Sequence, residues 1–384
     1  MQTDKKQLIK LLETKFENEL ACEMAEYPVM QFPANMTLGK EGDELEFISV
    51  IIQGSLRAVR EDSKGEEIKI YDVSKMQSCI ITITSAIRNH TSLIKGITNE
   101  EVAAIAFPKR KGAEWMNKYE SWRNFTIELY EIRLNELLAN HEIIKQQKDS
   151  ILDSIRYAKR IQDAALPPES LIEKSLPDHF VLFKPRDIVS GDYYWMTQIK
   201  NKVVVVIADC TGHGIPGAFM SMLGISILNQ YINTNSLMAA NEILKHLRES
   251  IKTSLRQHDY STDNRDGMDM ALMIFDFESK KMEYAGANNP IYIIRNGELI
   301  ILKPDKMPIG IHIQEKDEFR NQIFDIQKDD CYYAFSDGYV DQIGEKSNRK
   351  FMKKSFSELL LKIHKNPMSE QKQILNDTIY ISPN

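Results

Sequence analysis

The sequence predicts a multidomain protein in which three kinds of structure follow one another along 384 residues. Up to about residue 125, short apolar runs alternate with turn residues, which is typical of a small antiparallel barrel or β jelly roll. Residues 126–168 contain no glycine and predict one long linker helix. From residue 169 onwards, β-like runs outnumber helical segments, which favours an α+β sandwich of antiparallel sheets over a doubly wound parallel sheet.

Composition and charge exclude several classes of partner. The formal net charge of -6 argues against nucleic acid, because a phosphate-binding surface needs a basic excess. The cationic stretch "FPKRKGAEW" (residues 107–115) is interpreted as a solvated turn. The longest apolar run, Val203 to Ala208, is far shorter than the roughly 20 residues that a membrane span needs. We expect neither a nucleic-acid partner nor a membrane.

The cysteines and the N-terminus indicate a cytoplasmic protein. The four cysteines show no C-x-x-C spacing, as in a reduced protein without a disulfide framework or zinc ribbon: Cys22, Cys79, Cys210 and Cys331. The first twenty residues predict an amphipathic helix of mixed charge and lack the apolar core of a signal peptide.

The long helix carries a partial heptad seam. Five apolar residues fall seven positions apart: Leu137, Ile144, Ile151, Ala158 and Ala165. The other core position is polar at His141, Lys148 and Gln162, so the seam is imperfect. We prefer a two-stranded coiled coil between two protomers, and the alternative is a helix packed on its own domain. Pro167 and Pro168 end the helix.

Three aspartates stand at the ends of predicted strands in the C-terminal part. Asp209 and Asp337 follow apolar runs, and Asp192 precedes one. Each alone fits turn chemistry. Together they would repel one another and resist ionisation, which a divalent cation would relieve. Hard oxygen ligands suit Mg²⁺ or Mn²⁺, and two such ions can turn a water molecule into a nucleophile.

The turn "TGHGIPGAF" adds a second feature beside Asp209. Gly212 and Gly214 permit tight backbone geometry, and Pro216 fits the first turn of a following helix. A helix N-terminus near a metal cluster could receive a phosphoryl group. His213 could be a proton donor or a metal ligand, and we favour a role in shaping the loop.

Six motifs in order resemble the SpoIIE/RsbU group of metal-dependent (PPM, type 2C) serine/threonine protein phosphatases, over about residues 150–376: "DIVSGDYYW", "IADCTGHGIPGAFMSMLG", "GMDMALMIFD", "AGANNPIYIIRNGEL", "MPIGI" and "FSDGYVDQIGE". The resemblance implies a PPM-type β-sandwich flanked by helices and a two-metal Mn²⁺ or Mg²⁺ centre. In that family a metal-activated water attacks the phosphoester without a covalent intermediate. The helix of about 150–165 resembles the family's regulatory linker.

By this resemblance, Asp192 and Asp209 would be catalytic metal ligands, with Asp209 bridging, and Asp337 would hold the second ion. The backbone carbonyl of Cys210 would supply a further oxygen. The family adds an aspartate from an Asp-Asp pair before a closing strand, whereas this sequence reads "SEQKQILNDTIYISPN". Asp377 is predicted to lie on the last helix. We therefore expect that strand and carboxylate to be missing, and metal occupancy to be reduced.

The N-terminal part resembles the cyclic-nucleotide-binding (Crp-like) jelly roll in "EGDELEFISVIIQGSLRAVREDSKGEEIKIYDV". The family's Gly-Glu pair for the ribose reads Met76-Gln77, and Arg88 is only a loose candidate for the phosphate partner. Without a charge-assisted partner for phosphate, we expect no cyclic nucleotide. A docking or dimerisation module is the alternative.

The resemblance implies a phosphatase acting on a regulatory phosphoprotein, of the STAS-type anti-sigma-factor antagonist class, in a homodimer joined by the linker helix. The N-terminal domain would control it through that helix. The alternative is an impaired pseudo-phosphatase that binds a phosphoprotein as a signalling scaffold. A Crp-like transcription regulator would need a cationic recognition helix after the jelly roll, where the phosphatase-like part begins instead.

Overall fold

The computed structural model describes residues 4–88, 90–234, 238–257, 264–342 and 350–380. The chain divides into two compact units, Met1–Gln147 and Lys148–Asn384, which are described separately below. The predicted division at residues 1–125, 126–168 and 169–384 stays a prediction. Within the described ranges, no helix combines the length and the apolar character that a bilayer crossing requires.

The N-terminal unit is built from short strands and helices. In chain order, its elements are α1 (Lys5–Leu12), α2 (Asn18–Met24), β1 (Val29–Phe32), β2 (Thr37–Gly39), β3 (Phe47–Gln53), β4 (Leu56–Glu61), β5 (Glu67–Val73), α3 (Ile80–Arg88), β6 (Lys95–Thr98), β7 (Val102–Pro108), α4 (Lys109–Lys118) and the start of α5 (Glu120–Ala165). Its strands form two antiparallel sheets, in the orders β1-β7-β3 and β2-β6-β4-β5. The β-rich character is as predicted, and the jelly-roll connectivity remains a prediction.

The prediction of a solvated turn at "FPKRKGAEW" is wrong, because these residues lead into helix α4. Trp115 on this helix is 1% exposed and lies 5.7 Å from Trp122, measured between ring centroids. Gly112 lies against Ile48, where a Cβ atom would meet the Ile48 side chain at 2.5 Å. The cations face outward on a helix whose other face completes the aromatic core.

The C-terminal unit has the predicted antiparallel sheets. After α5, its elements are α6 (Glu169–Ser175), β8 (Tyr193–Ile199), β9 (Lys202–Cys210), α7 (Gly214–Thr234), α8 (Ala240–Ser254), β10 (Met268–Asp276), β11 (Lys281–Ala287), β12 (Ile291–Arg295), β13 (Glu298–Leu302), β14 (Gln322–Asp325), β15 (Cys331–Ala334), α9 (Met352–Ile363) and α10 (Met368–Tyr380). One sheet has the order β14-β11-β10-β9-β8, and the other has the order β13-β12-β15.

The two sheets of this unit pack face to face, with helices outside them. Met273 and Phe275 of β10 share one core cluster with Ile293 of the second sheet. The intervening Ile274 lies in another cluster with apolar residues of α7 and α8. A third cluster joins the second sheet to α9 and α10. Successive side chains of β10 therefore point alternately into two different cores, as expected for a strand buried on both faces.

Two predicted elements differ from the structure. The apolar run "HFVLFKP" (residues 179–185) favours a strand by its composition, yet these residues form no strand, although most of their apolar side chains are partly buried. Strand β14 was not predicted, because its four residues, "QIFD", are too short to show a periodic pattern. Asp377 does lie on a helix, α10, where its Oδ1 accepts a hydrogen bond from Gln373.

Candidate metal centre

Strand register brings three aspartates side by side at one end of the five-stranded sheet. Tyr193 of β8 faces Ala208 of β9, so Asp192, one residue earlier, comes level with Asp209. On the other side of β9, Asp209 pairs directly with Asp269 of β10. Residues opposite each other on neighbouring strands point to the same face of a sheet. The three carboxylates therefore belong to one surface.

Asp337, which follows the last strand of the second sheet, lies near the same aspartates. Strand β15 ends at Ala334, and the chain continues through Ser336 and Asp337. The Ser336 hydroxyl donates a hydrogen bond of 2.6 Å to Asp192 Oδ2. This contact joins the exit of β15 to the entry of β8, so the site lies where the edges of the two sheets meet.

The aspartates act on one another electrostatically. Burial, followed by the charges and hydrogen-bonding proximity of Asp192 and Asp337, raises the pKa of Asp209 to about 8. Burial also raises the pKa of Asp269, with a smaller contribution from Asp337, while a hydrogen bond from Asn288 opposes the shift. Mutual repulsion among partly buried carboxylates is the condition that a divalent cation relieves.

In the part of the chain that the structure describes, no group of three or more His, Cys, Asp or Glu side chains could by itself hold a metal ion. Two of the carboxylates are engaged elsewhere, since Asp192 accepts from Ser336 and Asp269 Oδ1 accepts from Asn288 Nδ2 at 2.9 Å. The donor set is nevertheless hard oxygen throughout, which fits Mg²⁺ or Mn²⁺. The assignment as metal ligands stays a prediction for Asp192, Asp209, Cys210 and Asp337.

Glycines allow the loop before Asp192 to lie against the turn after β9. A Cβ atom on Gly191 would come within 2.8 Å of the Gly212 carbonyl oxygen and 3.4 Å of the Cys210 carbonyl oxygen. A Cβ atom on Gly217, in the first turn of α7, would come within 2.6 Å of the same Gly212 oxygen. Gly212 itself has a φ of 85°, which favours glycine. The Cys210 carbonyl thus lies beside the loop that carries Asp192.

The end of α5 also reaches this loop. Gln162 is 2% exposed, and its Nε2 donates to the Ser190 carbonyl oxygen at 2.7 Å and to Ser221 Oγ at 2.8 Å. Its Oε1 accepts from the Ser190 backbone N–H at 3.0 Å. Ser190 lies two residues before Asp192, and Ser221 lies on α7. One buried amide therefore holds together the linker helix, the aspartate loop and helix α7.

His213 contributes a contact at the surface. Its Nδ1 lies 3.0 Å from Asp187 Oδ2, and its side chain is 69% exposed. An exposed pair of this kind contributes about 0–1 kcal/mol. The contact ties the turn after β9 to the segment before Asp192, in keeping with a role in shaping the loop.

Three residues at or beside the aspartate site were not predicted from the sequence. Asp269 stands between the buried residues Met268 and Met270, and this acid in an apolar strand was the available signal. Gln162 was read as an imperfection of the heptad seam, although a polar residue at a core position is itself a signal. For Ser336 the sequence gave no signal other than its position beside Asp337, because its role depends on a hydrogen bond to Asp192, which is distant in sequence.

Comparisons with known proteins agree with this architecture. Residues 200–380 match the family model described as Stage II sporulation protein E (SpoIIE). The phosphoserine phosphatase RsbU of Bacillus subtilis (strain 168) is 23% identical over 207 residues, which cover 52% of this chain and 57% of RsbU. This chain thus spans little more than half the length of that relative.

Among solved structures, the SiaA-PP2C domain of Pseudomonas aeruginosa is similar with a TM-score of 0.54 and 29% identity, over 60% of this chain and 90% of that domain. A cyclic nucleotide binding protein of Ruegeria pomeroyi is similar over 36% of this chain and 62% of its own, at 15% identity and a TM-score of 0.28, too low to assign a ligand. Residues 200–380 are thus similar to the SpoIIE family, and the fold of this part of the chain is similar to that of a PP2C domain.

Proposed function

We propose that the C-terminal unit is a metal-dependent phosphoserine and phosphothreonine protein phosphatase. The observation that carries the proposal is the meeting of Asp192, Asp209 and Asp337 from distant segments at one site. The description of RsbU as a phosphoserine phosphatase and the PP2C-type fold support the same activity. We also propose that the protein is located in the cytoplasm.

In this proposal, the side chains of Asp192, Asp209 and Asp337 and the carbonyl of Cys210 hold Mn²⁺ or Mg²⁺. When bound, such ions polarise a water molecule and stabilise charge on the phosphoryl oxygens. The protein's own groups orient the reactants. Ser336 fixes the Asp192 carboxylate, and the N-terminus of α7 at Gly214 offers backbone N–H groups to an anion.

We propose a regulatory phosphoprotein of the STAS-type anti-sigma-factor antagonist class as the substrate. Control by the N-terminal unit would pass along α5, which carries Gln162 near its C-terminal end. Displacement of α5 would remove the amide from Ser190 and release the loop before Asp192. The linker helix would thereby set the geometry of the aspartates.

A homodimer through α5 is the second part of this proposal. Leu137, Ile144 and Ile151 are 66%, 63% and 60% exposed along the predicted seam. Apolar side chains repeated every seven residues on one helix fit a second copy of the same helix. Sedimentation of a Leu137→Glu, Ile144→Glu variant tests this, and an unchanged dimer would contradict it.

A pseudo-phosphatase that binds a phosphoprotein without turnover is the other candidate. It is favoured by the finding that, among the residues that the structure describes, no group of three or more His, Cys, Asp or Glu side chains could by itself hold a metal ion. Hydrolysis of a phosphorylated STAS-domain protein in Mn²⁺, with Asp209→Asn as the control, separates the two candidates. Turnover that the substitution abolishes supports the phosphatase. Substrate binding without turnover by the unaltered chain supports the scaffold.

A further inference from the structure

We propose that the outer face of the first turns of α7, together with the segment beside it, docks the phosphoprotein substrate. Three exposed apolar residues form this surface, the apolar patch: Ile188, Ile215 and Phe219. The inference rests on the proposed phosphatase function and identifies where that enzyme contacts a protein substrate outside the aspartate site.

The first observation is that α7 is an apolar helix with an exposed face. Its 21 residues, Gly214–Thr234, include no acidic or basic side chain. Met220 and Leu228 pack into a core of the C-terminal unit. Ile215 and Phe219, one turn apart on the helix, are instead 46% and 72% exposed. A helix that is apolar on all sides is normally buried, and exposed apolar surface marks interaction sites.

The second observation is the position of this face beside the aspartate site. Gly217, in the first turn of α7, lies against the loop that carries Asp192, since a Cβ atom on Gly217 would be 2.9 Å from Gly191 Cα. Phe219 is two residues further along and therefore on the outer side of the helix. It lies about 7.5 Å along the helix axis from the first residue, Gly214. The exposed face thus begins at the end of α7 that adjoins the aspartates.

Ile188 extends the apolar patch beyond the helix. It is 37% exposed and belongs to the segment that leads to Asp192. The preceding residue, Asp187, places its Oδ2 3.0 Å from His213 Nδ1, so this segment runs beside the start of α7. Exposed apolar side chains therefore come from the helix and from the neighbouring segment.

The substrate is the occupant that this position indicates, because a phosphoserine side chain is short. A protein that places its phosphoryl group at the aspartates must bring the surface around the phosphoserine against the surface around the site. An interface of ordinary size buries about 800 Å² on each partner, which extends well beyond the roughly 7.5 Å from the start of α7 to Phe219. The apolar patch has no charge, so it fits apolar side chains around the phosphoserine. A small phosphate ester reaches the aspartates without contacting Phe219.

The experiment measures turnover of two substrates in Mn²⁺, a phosphorylated STAS-domain protein and para-nitrophenyl phosphate. Phe219→Ser should raise KM for the phosphoprotein by about tenfold or more with kcat unchanged, as for the loss of an aromatic anchor from an interface. Its kinetics with para-nitrophenyl phosphate should be those of the unaltered chain. Phe219→Leu keeps an apolar side chain and should retain a KM for the phosphoprotein close to that of the unaltered chain.

Two comparisons guard against a structural effect of the substitution. Serine and phenylalanine have similar helix propensities, so Phe219→Ser should leave the Tm unchanged. Phe277→Ser is the matched control, because Phe277 is an exposed phenylalanine just beyond Asp276, at the end of β10 remote from Asp269. This control should leave KM unchanged for both substrates.

The outcomes separate this inference from the proposed function. If both substrates are hydrolysed and Phe219→Ser changes neither KM, docking on the apolar patch is overturned and the phosphatase stands. An equal loss with both substrates also overturns docking, because the effect then lies at the aspartates. Dissociation of a dimer by Phe219→Ser in sedimentation, with an unchanged KM for the phosphoprotein, assigns the face to a second copy of the chain and overturns the proposal. If the unaltered chain hydrolyses neither substrate, the proposed function fails and this inference fails with it.

Discussion

The Ser336 hydroxyl lies 2.6 Å from Asp192 Oδ2 and donates to it across a separation of 144 residues. The contact joins the two sheets of the C-terminal unit at the point where Asp192, Asp209 and Asp337 meet. Because this hydrogen bond holds one oxygen of Asp192, it sets the orientation in which the Asp192 carboxylate is presented to a cation.

Ser336→Ala should therefore reduce Mn²⁺ affinity by about tenfold while leaving the fold intact, in the range seen when a group that orients a metal ligand is lost. Titration of phosphatase activity with Mn²⁺ measures this as a higher half-saturating concentration. Ser357→Ala on α9 is the matched control, since its hydroxyl donates only to the Lys353 carbonyl of its own helix. Equal Mn²⁺ requirements in the two variants would exclude an orienting role for Ser336.

Gln162→Ala should destabilise the C-terminal unit and lower activity together. The substitution leaves the buried Ser190 N–H without its partner, at a cost of about 1–3 kcal/mol, and leaves the Ser190 carbonyl with only the weaker hydrogen bond from Ser221. Thermal unfolding and turnover at saturating Mn²⁺ are the two measurements. Gln146→Ala is the control on the same helix, because Gln146 is exposed and its side chain donates to Glu142 of the same helix. A Gln162→Ala protein with normal turnover would show that α5 does not position the aspartate loop.

Gly217→Ala reverses the usual effect of a helical glycine substitution. Alanine in a helix is ordinarily more stable than glycine by roughly 0.5–1 kcal/mol. Here the added Cβ atom would stand 2.6 Å from the Gly212 carbonyl oxygen and 2.9 Å from Gly191 Cα, so the turn and the aspartate loop must separate. We expect lower Tm and loss of Mn²⁺ binding. Gly39→Ala, with no atom within 4 Å of the new Cβ, should leave both unchanged.

Acid should weaken the N-terminal unit through Glu23. Hydrogen bonds from Lys118, Tyr119 and Trp115 lower the pKa of Glu23 from 4.5 to about 2. A carboxyl group whose pKa is lower in the folded state stabilises the fold above the unfolded pKa, and this contribution is lost as pH falls from about 4.5 to about 2. Glu23→Gln should flatten the stability of the unit over that interval.

Urea unfolding at several pH values, followed by tryptophan fluorescence, measures the Glu23 effect. Glu26→Gln is the control, because Glu26 pairs with Lys5 at the surface. If both variants keep the acid dependence of the unaltered chain, the contribution of Glu23 is refuted.

The sequence was informative where a local pattern sufficed. The apolar runs of β9 and β15 predicted that Asp209 and Asp337 follow buried strands; in the structure Asp209 is the last residue but one of β9, and Asp337 lies three residues after the end of β15. A local sequence pattern does not show which residues of two strands lie opposite each other. The sequence therefore did not reveal that Asp269 pairs with Asp209. Helix α4 was misread because the three cations of "FPKRKGAEW" concealed the buried face that carries Trp115.

The central claim is that Asp192, Asp209 and Asp337 bind the cation that activates water. Anomalous diffraction at the manganese edge, from crystals soaked in Mn²⁺, tests it most directly. We predict peaks about 2.0–2.6 Å from oxygens of these three aspartates, the range for hard cations with oxygen ligands. The same soak of Asp209→Asn crystals should lose those peaks. Strong Mn²⁺ peaks only elsewhere in the unaltered chain, or none at saturating metal, would contradict the account.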